Sequence, residues 1–152
     1  MDEINIVPFA PEFRQAFKEL NEEWIEKYFE LEEEDILTLH HPEKIINQGG
    51  FIFVALKDNV AVGVCALKKI STAEFEFSKM AVAEHAQGLG IGRKLAEAAI
   101  NKARDIQAKR IYLEGNTRLE ASIHLYKKVG FKEIEGQQSR FKRVNIIMEK
   151  IL

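Results

Sequence analysis

Gln87-Gly88-Leu89-Gly90-Ile91-Gly92-Arg93-Lys94 follows a strand-like run ending Met80-Ala81-Val82 and leads into an amphipathic run from Arg93. Three glycines in five positions remove the Cβ atoms that keep a ligand off the backbone, and they allow the positive φ values of a tight turn. A helix starting there leaves its first N–H groups without intrahelical partners and adds the positive end of its dipole. The segment therefore predicts an anion site suited to a pyrophosphate. Gly88, Gly90 and Gly92 space as G-x-G-x-G. That is neither the dinucleotide G-x-G-x-x-G nor the Walker loop, since no Gly-Lys-Ser/Thr closes it, so NAD and nucleoside triphosphates drop in rank.

Outward from this turn, Ala73 to Val82 alternates Phe75 and Phe77 with Glu74, Glu76 and Ser78, which predicts a strand with one apolar face. Phe51 to Leu56, a turn at Lys57-Asp58-Asn59 and Val60 to Ile70 read as two further antiparallel strands, with Gly63 a bulge. After the glycines, Leu95, Ala99, Ala103 and Ile106 mark the buried face of a helix, and Arg110 to Glu114 is the next strand. Strand, helix, strand implies a parallel pair with a right-handed crossover. Thr117-x-x-Glu120 predicts a capping box for a second helix, which Gly130 and Phe131 end in a Schellman-type turn. Lys132 to Glu135 and Phe141 to Lys150 form a closing hairpin, where Val144, Ile146 and Met148 alternate with Asn145, Ile147 and Glu149.

Towards the N-terminus, Ile4 to Phe9 is a short strand, and Pro11 suits the first turn of a helix striped by Phe13, Phe17, Leu20, Trp24 and Tyr28. A weaker helix follows the acidic Glu30 to Glu34 and stops near Pro42. The expected architecture is α/β: a mixed sheet in which an antiparallel N-terminal meander joins a parallel βαβ unit, all in one domain over residues 1–152.

Asn116 and the run Ala121 to Phe131, ending Leu125-Tyr126-Lys127-Lys128-Val129-Gly130-Phe131, form a second informative segment. With Gln87-x-x-Gly90-x-Gly92 after Met80-Ala81-Val82, it resembles the GNAT N-acetyltransferase superfamily: the acyl-CoA pyrophosphate loop and the Asn…Ala-x-x-x-Leu-Tyr-x-x-x-Gly-Phe signature stand in the family's order, from about Phe51 onward. The resemblance implies a GNAT-like acyl-CoA N-acyltransferase fold. It also implies acetyl-CoA as cosubstrate and acetyl transfer to a primary amine by direct attack in a ternary complex.

In that frame the backbone amides of Gln87, Gly88, Leu89, Gly90, Ile91, Gly92, Arg93 and Lys94 hold the pyrophosphate, and Arg93 and Lys94 add charge. The backbone N–H of Met80 or Val82 polarises the thioester carbonyl where the strand leaves its parallel neighbour. Tyr126 matches the tyrosine that protonates, or hydrogen-bonds to, the departing sulfur, and with phenols near ~10 and thiols near ~8.5 a hydrogen bond is enough. Asn116 hydrogen-bonds the pantetheine arm or a loop carbonyl, or is simply a turn residue, and Ser122 lies one turn before Tyr126. Glu76 sits where some members carry a general base. Its other reading is a solvated or salt-bridged strand carboxylate, Glu74 has the same parity, and ordered waters can carry the proton instead.

Bulk properties restrict the remaining classes. Lys plus Arg total 22 against 24 for Asp plus Glu, so a net charge of −2 offers no general attraction to nucleic acid or anionic membranes. The single Cys65 sits in an apolar run as a core thiol without a base partner for a covalent route, and no metal-ligand cluster appears. Met1-Asp-Glu-Ile-Asn-Ile6 has neither a basic nor an apolar leader region, and no apolar stretch approaches ~18 residues, so the expectation is a cytoplasmic protein.

The acceptor, a small-molecule amine or a peptide or protein amine, is not named by these residues. Trp24, Tyr28 and Phe29 line its pocket or pack the core, His40 and His41 fall at a helix end, and the acidic Glu30 to Asp35 is a solvated face or an attractor for a cationic amine. A non-catalytic acyl-CoA-binding module would carry the same grip, and longer acyl chains or hydroxyl acceptors stay open. An edge strand in the final hairpin would support a homodimer.

Overall fold

The computed structural model describes residues 3–136 and 138–152; Met1 and Asp2, the start of the segment read for a leader, lie outside the described residues. Seven strands form one mixed sheet in the order β1-β2-β3-β4-β5-β7-β6. β1 (Ile4–Pro8), β2 (Phe51–Lys57), β3 (Val60–Lys69) and β4 (Glu74–Val82) make an antiparallel meander. β5 (Arg110–Gly115) then lies parallel to β4, and β7 (Ile146–Ile151) slots antiparallel between β5 and the short β6 (Lys132–Ile134). This is the α/β architecture the alternation predicts. No helix among the described residues is long and apolar enough to cross a membrane.

The helices cover the two faces of the sheet. On one, α4 (Ile91–Asp105) and α5 (Glu120–Lys128) pack over Phe75, Phe77, Ile111, Leu113 and Met148. On the other, α1 (Arg14–Tyr28), α2 (Glu33–His40) and α3 (Glu43–Asn47) cover Ile52, Val54, Val64, Ala66 and Ala81 through Phe17, Leu39 and Ile45. α4 lies close because its buried face is small, with Ala96, Ala99 and Ala103. A Cβ at Gly63 would fall 2.9 Å from Ile91 Cγ2 and 3.2 Å from Leu95 Cδ1. Gly63 therefore buys helix approach, while the irregularity between β2 and β3 falls beside it, where Ala55 pairs Gly63 but Leu56 pairs Ala61.

Four local expectations change. α4 begins at Ile91, two residues before Arg93, and Ile106, 39% exposed, follows the helix as its C-cap instead of extending the buried face. Thr117 does not cap α5: Leu119 is the N-cap without a side-chain bond, and the Thr117 N–H donates to Asn145 Oδ1 at 2.9 Å. The last strand starts at Ile146, because residues 141–145 turn away to serve the site described below. The Schellman turn is present, with Phe131 N–H on Tyr126 O and Gly130 N–H on Lys127 O, and Gly130 at φ 107°.

β4 carries the irregularity that matters most. Val64 pairs Ala81 but Ala66 pairs Ser78, so β4 holds one residue more than β3 across this stretch. The extra residue reverses the side-chain parity: Phe75 and Phe77 face α4, and after the bulge Met80 and Val82 do so as well, while Ala81 points to the α1 face. Lys79, at φ 53°, takes up the turn in the backbone.

Its side chain reaches Asp35, which is 0% exposed, at 2.8 Å. Arg143 meets the same carboxylate with two bonds, Nη1 to Oδ2 at 2.6 Å and Nη2 to Oδ1 at 2.7 Å, and the Glu32 N–H donates to Oδ2 at 2.9 Å. The acidic run thus ends in a buried, fully partnered charge, where composition alone suggests a solvated face.

Burial works against the Asp35 charge, but Arg143 and Lys79 outweigh it and hold the carboxyl at about 2. An unfolded aspartate titrates near ~3.9, so the folded value is the lower one. The stabilisation, about 2 to 3 kcal/mol, is complete above that unfolded value and disappears as pH falls through about 2. Asp35→Ala, which strands two cations, is expected to lower unfolding free energy by about 3–5 kcal/mol in urea titrations at neutral pH. Asp35→Asn should make the midpoint fall less steeply between pH 4 and 2 than in the wild type, by the share that Asp35 contributes.

Candidate active site

The glycine turn and the start of α4 form a cradle of main-chain amides. Gly88 (φ 84°) and Gly90 (φ 77°, the helix N-cap) hold left-handed conformations, and a Cβ at either would meet nothing within 4 Å. Conformation, not crowding, demands glycine at both positions. At Gly92 the reason is space: a Cβ would come 3.3 Å from Leu125 Cδ2 and 3.8 Å from Met80 Cε. The Lys94 N–H makes the first bond within the helix, to Gly90 O at 3.1 Å, so the N–H groups of Ile91, Gly92 and Arg93 precede any intrahelical acceptor.

Among side chains of the cradle, Ile91 is buried and offers only its backbone, whereas Leu89 is exposed. Gln87 Nε2 donates to Val82 O at 3.3 Å, fastening the turn to the end of β4. Arg93 is paired with Glu97 at 2.7 Å, and Lys94 is exposed at the rim.

A cleft opens where β4 and β5 part. Their pairing runs from Glu74 with Arg110 to Phe77 with Leu113 and goes no further, leaving Ser78 to Val82 on one side and Gly115 on the other. The gap holds a cavity of about 110 Å³ that opens to solvent. Met80, Ser122, Ile123 and Tyr126 line it on the α5 side, and Asn21, Trp24, Phe29 and Phe141 on the α1 side; Glu76 and Glu114 also line it.

Tyr126 is held edge-on by Phe77 and Phe131, with ring centroids 6.1 and 6.2 Å away. Burial raises its hydroxyl well above the ordinary phenol range, Cys65 adds to this, and a hydrogen bond with Ser122 pulls the other way. The hydroxyl therefore keeps its proton at neutral pH and can donate it. Ser122, one turn before Tyr126, lines the cleft beside it.

Glu76 and Glu74 separate clearly. Glu74 is spent on Arg110 at 2.7 Å. Glu76 faces the cleft with Tyr112 OH 3.5 Å from its Oε1. Burial pushes the Glu76 carboxyl up, Glu114 pushes further, and Lys68, Lys79 and Tyr112 offset part of this. A carboxylate with raised affinity for protons is suited to accept one.

Asn116 Nδ2 donates to the Arg143 carbonyl at 2.6 Å while its Oδ1 accepts from the Arg118 N–H at 2.8 Å, so the amide bonds a loop carbonyl and shapes the turn before α5. Cys65 is buried with its thiol pushed up by desolvation, and His40 and His41 stand exposed at the end of α2. Among the described residues no group of three or more His, Cys, Asp or Glu could hold a metal ion.

Trp24 and Phe29 line the cleft, in keeping with the acceptor-side reading, whereas Tyr28 packs edge-on against Trp24 at 5.3 Å. Sequence reasoning missed Asn21, Lys79, Glu114 and Arg143. One signal was available for Asn21: it is a polar residue four positions after Phe17 on a stripe that is otherwise apolar. For the other three, partners 25 to 108 positions apart carried no local pattern.

Residues 13–131 match the model of the acetyltransferase (GNAT) family. The N-alpha-acetyltransferase RimI of Mycobacterium tuberculosis is 34% identical over 83 residues, 55% of this chain and 50% of that protein. The matched segments span half or less of the length of the curated relatives. An acetyltransferase of the GNAT family from Staphylococcus aureus Mu50 superposes with a TM-score of 0.88 at 20% identity, covering 98% of this chain and 99% of that one. PaiA N-acetyltransferase from Thermoplasma acidophilum, in complex with coenzyme A, does so with a TM-score of 0.78 at 20% identity over 99% of both chains. At these identities the likeness shows a shared fold.

The electrostatics of Glu76 can be tested directly. Glu114→Gln removes the neighbouring negative charge, so the Glu76 carboxyl should titrate at lower pH than in the wild type, read by carbon-detected NMR of the side chain. An unchanged titration would mean that burial alone sets its proton affinity.

Proposed function

This chain belongs to the acetyltransferase (GNAT) family, and from that premise we propose that it transfers the acetyl group of acetyl-CoA to a primary amine, by direct attack in a ternary complex, as a single cytoplasmic domain over residues 1–152. The observation that carries the reading is the parting of β4 from β5, which opens a cleft lined by both Tyr126 and Glu76, with Met80 of that lining next to Gly92 of the cradle. Acetyl-CoA supplies an activated thioester and a thiolate leaving group. The cradle fits its pyrophosphate: amides of Ile91, Gly92 and Arg93 point out of the helix start, and the open left-handed turns at Gly88 and Gly90 leave the approach clear.

Each further step falls to a named group. Main chain between Ser78 and Val82 that is paired to β3 but left unpaired on the β5 side, with the N–H of Met80 or Val82, orients the thioester carbonyl and stabilises charge on its oxygen. Glu76, directly or through water, takes the proton that the amine nitrogen loses as it bonds the acetyl carbon. The Tyr126 hydroxyl meets the sulfur as the carbon–sulfur bond breaks. Cys65, buried with a raised thiol, offers no route through an acyl-enzyme.

Tyr126→Phe is expected to lower kcat by about 10²-fold while leaving the acetyl-CoA Kd within about twofold, by thiol-release kinetics and calorimetry. Gly90→Glu should abolish acetyl-CoA binding, because bulk and negative charge enter the cradle. A wild type that binds acetyl-CoA yet releases no thiol with any amine would be the acyl-CoA-binding module instead.

A further inference from the structure

Of the three buried residues of α1, Phe17, Asn21 and Ile25, only Asn21 is polar, and it is 1% exposed. Its Nδ2 donates to the Phe17 carbonyl at 2.9 Å, which fixes the remaining atom as Oδ1. No described residue donates to that oxygen. Since no enclosed side-chain oxygen among the described residues lacks a partner, Oδ1 opens into the cleft that Asn21 lines. An acceptor that opens into the cleft with no protein donor is free to take a hydrogen bond from a group that enters there.

The walls around it are aromatic. Trp24 stands on the same helix, Phe29 follows its end with Arg118 5.1 Å from the ring centre, and Phe141 is sandwiched by Lys79 and Arg143 at 4.9 and 4.6 Å. The segment carrying Phe141 is strapped to α2 and the turn before it: Arg143 to Asp35 and Glu32, the Lys142 N–H to Glu32 Oε1 at 3.0 Å, and Arg140 to Glu34. Such a roof suits a small occupant more than a polypeptide.

We propose, resting on the acetyl-transfer reading above, that this chamber receives a small primary amine bearing an aromatic-sized apolar group, and that Asn21 Oδ1 accepts a hydrogen bond from the amine nitrogen. A carboxamide oxygen orients an N–H without taking the proton, so Asn21 holds the nitrogen while its lone pair stays available for attack and Glu76 removes the proton. The rings bury the apolar group, which a polyamine or a polar peptide backbone does not offer.

Thiol release from acetyl-CoA is measured with 2-phenylethylamine, spermidine and a tripeptide with a free N-terminus, beside calorimetry of acetyl-CoA alone. The expected result is a kcat/KM at least about tenfold higher for 2-phenylethylamine than for the other two. Asn21→Leu should raise its KM about tenfold with the acetyl-CoA Kd unchanged. Phe29→Ala, outside both apolar clusters and so tolerated by the fold, should raise the same KM. Better use of spermidine or the peptide, or an unmoved KM in both variants, overturns the proposal. Acetyl-CoA binding with none of the three amines acetylated overturns the acceptor site alone. Loss of acetyl-CoA binding in the wild type overturns the reaction as well.

Discussion

A carboxylate with no exposure to water, Asp35, is met by an arginine fork, a lysine and a backbone N–H, and much of the cleft depends on that arrangement. Its three side chains come from α2, from the bulge in β4 and from the segment leading into β7. Taking an isolated charge out of water costs several kcal/mol, so each partner is committed to its place once the others are present. Lys79 in particular ties a left-handed backbone residue to a helix on the α1 face, and the extra residue it represents turns Met80 and Val82 towards α4. The same cluster clamps Phe141 over the cleft through two cation–aromatic contacts.

The proposed anion cradle and the cleft follow different physics. At the cradle the work is done by main-chain amides, which carry no titratable group and depend on glycine only for the turns at Gly88 and Gly90 and the close packing at Gly92. The cleft adds titratable side chains: burial pushes Glu76 and Tyr126 upward, so that one becomes a better proton acceptor and the other keeps its proton. Tyr112, pushed up to about 12 by burial and by Glu76 and Glu114, stays a neutral donor beside Glu76. In the proposed reaction, binding at the cradle would therefore vary less with pH than the proton transfers in the cleft.

Much of this was legible in the sequence wherever the cause is local. Glycine spacing located the cradle, period-two patterning located β2 to β5, and the Leu-Tyr…Gly-Phe run placed Tyr126 and its helix end. What failed was set by distant partners. Thr117 reads as a cap, but Asn145 takes its N–H and Asn116 shapes the turn. Phe141 to Asn145 reads as strand, but Arg143 is drawn off to Asp35, 108 positions earlier. Strict alternation along β4 hid the bulge, since nothing in Ser78-Lys79-Met80 announces an extra residue until the partner strand is counted against it.

The placement of β7 between β5 and β6 has a bearing on synthesis at the ribosome. The chain emerges N-terminus first, so α2 and β4 with their buried charges are exposed to collapse well before Arg143 exists to complete them. Until Arg143 and β7 are available, β5 lacks its outer neighbour and Asp35 has only Lys79 and the Glu32 N–H. The contacts that complete the sheet and the Asp35 cluster are thus ones of long sequence separation, the kind that topology makes slow to form.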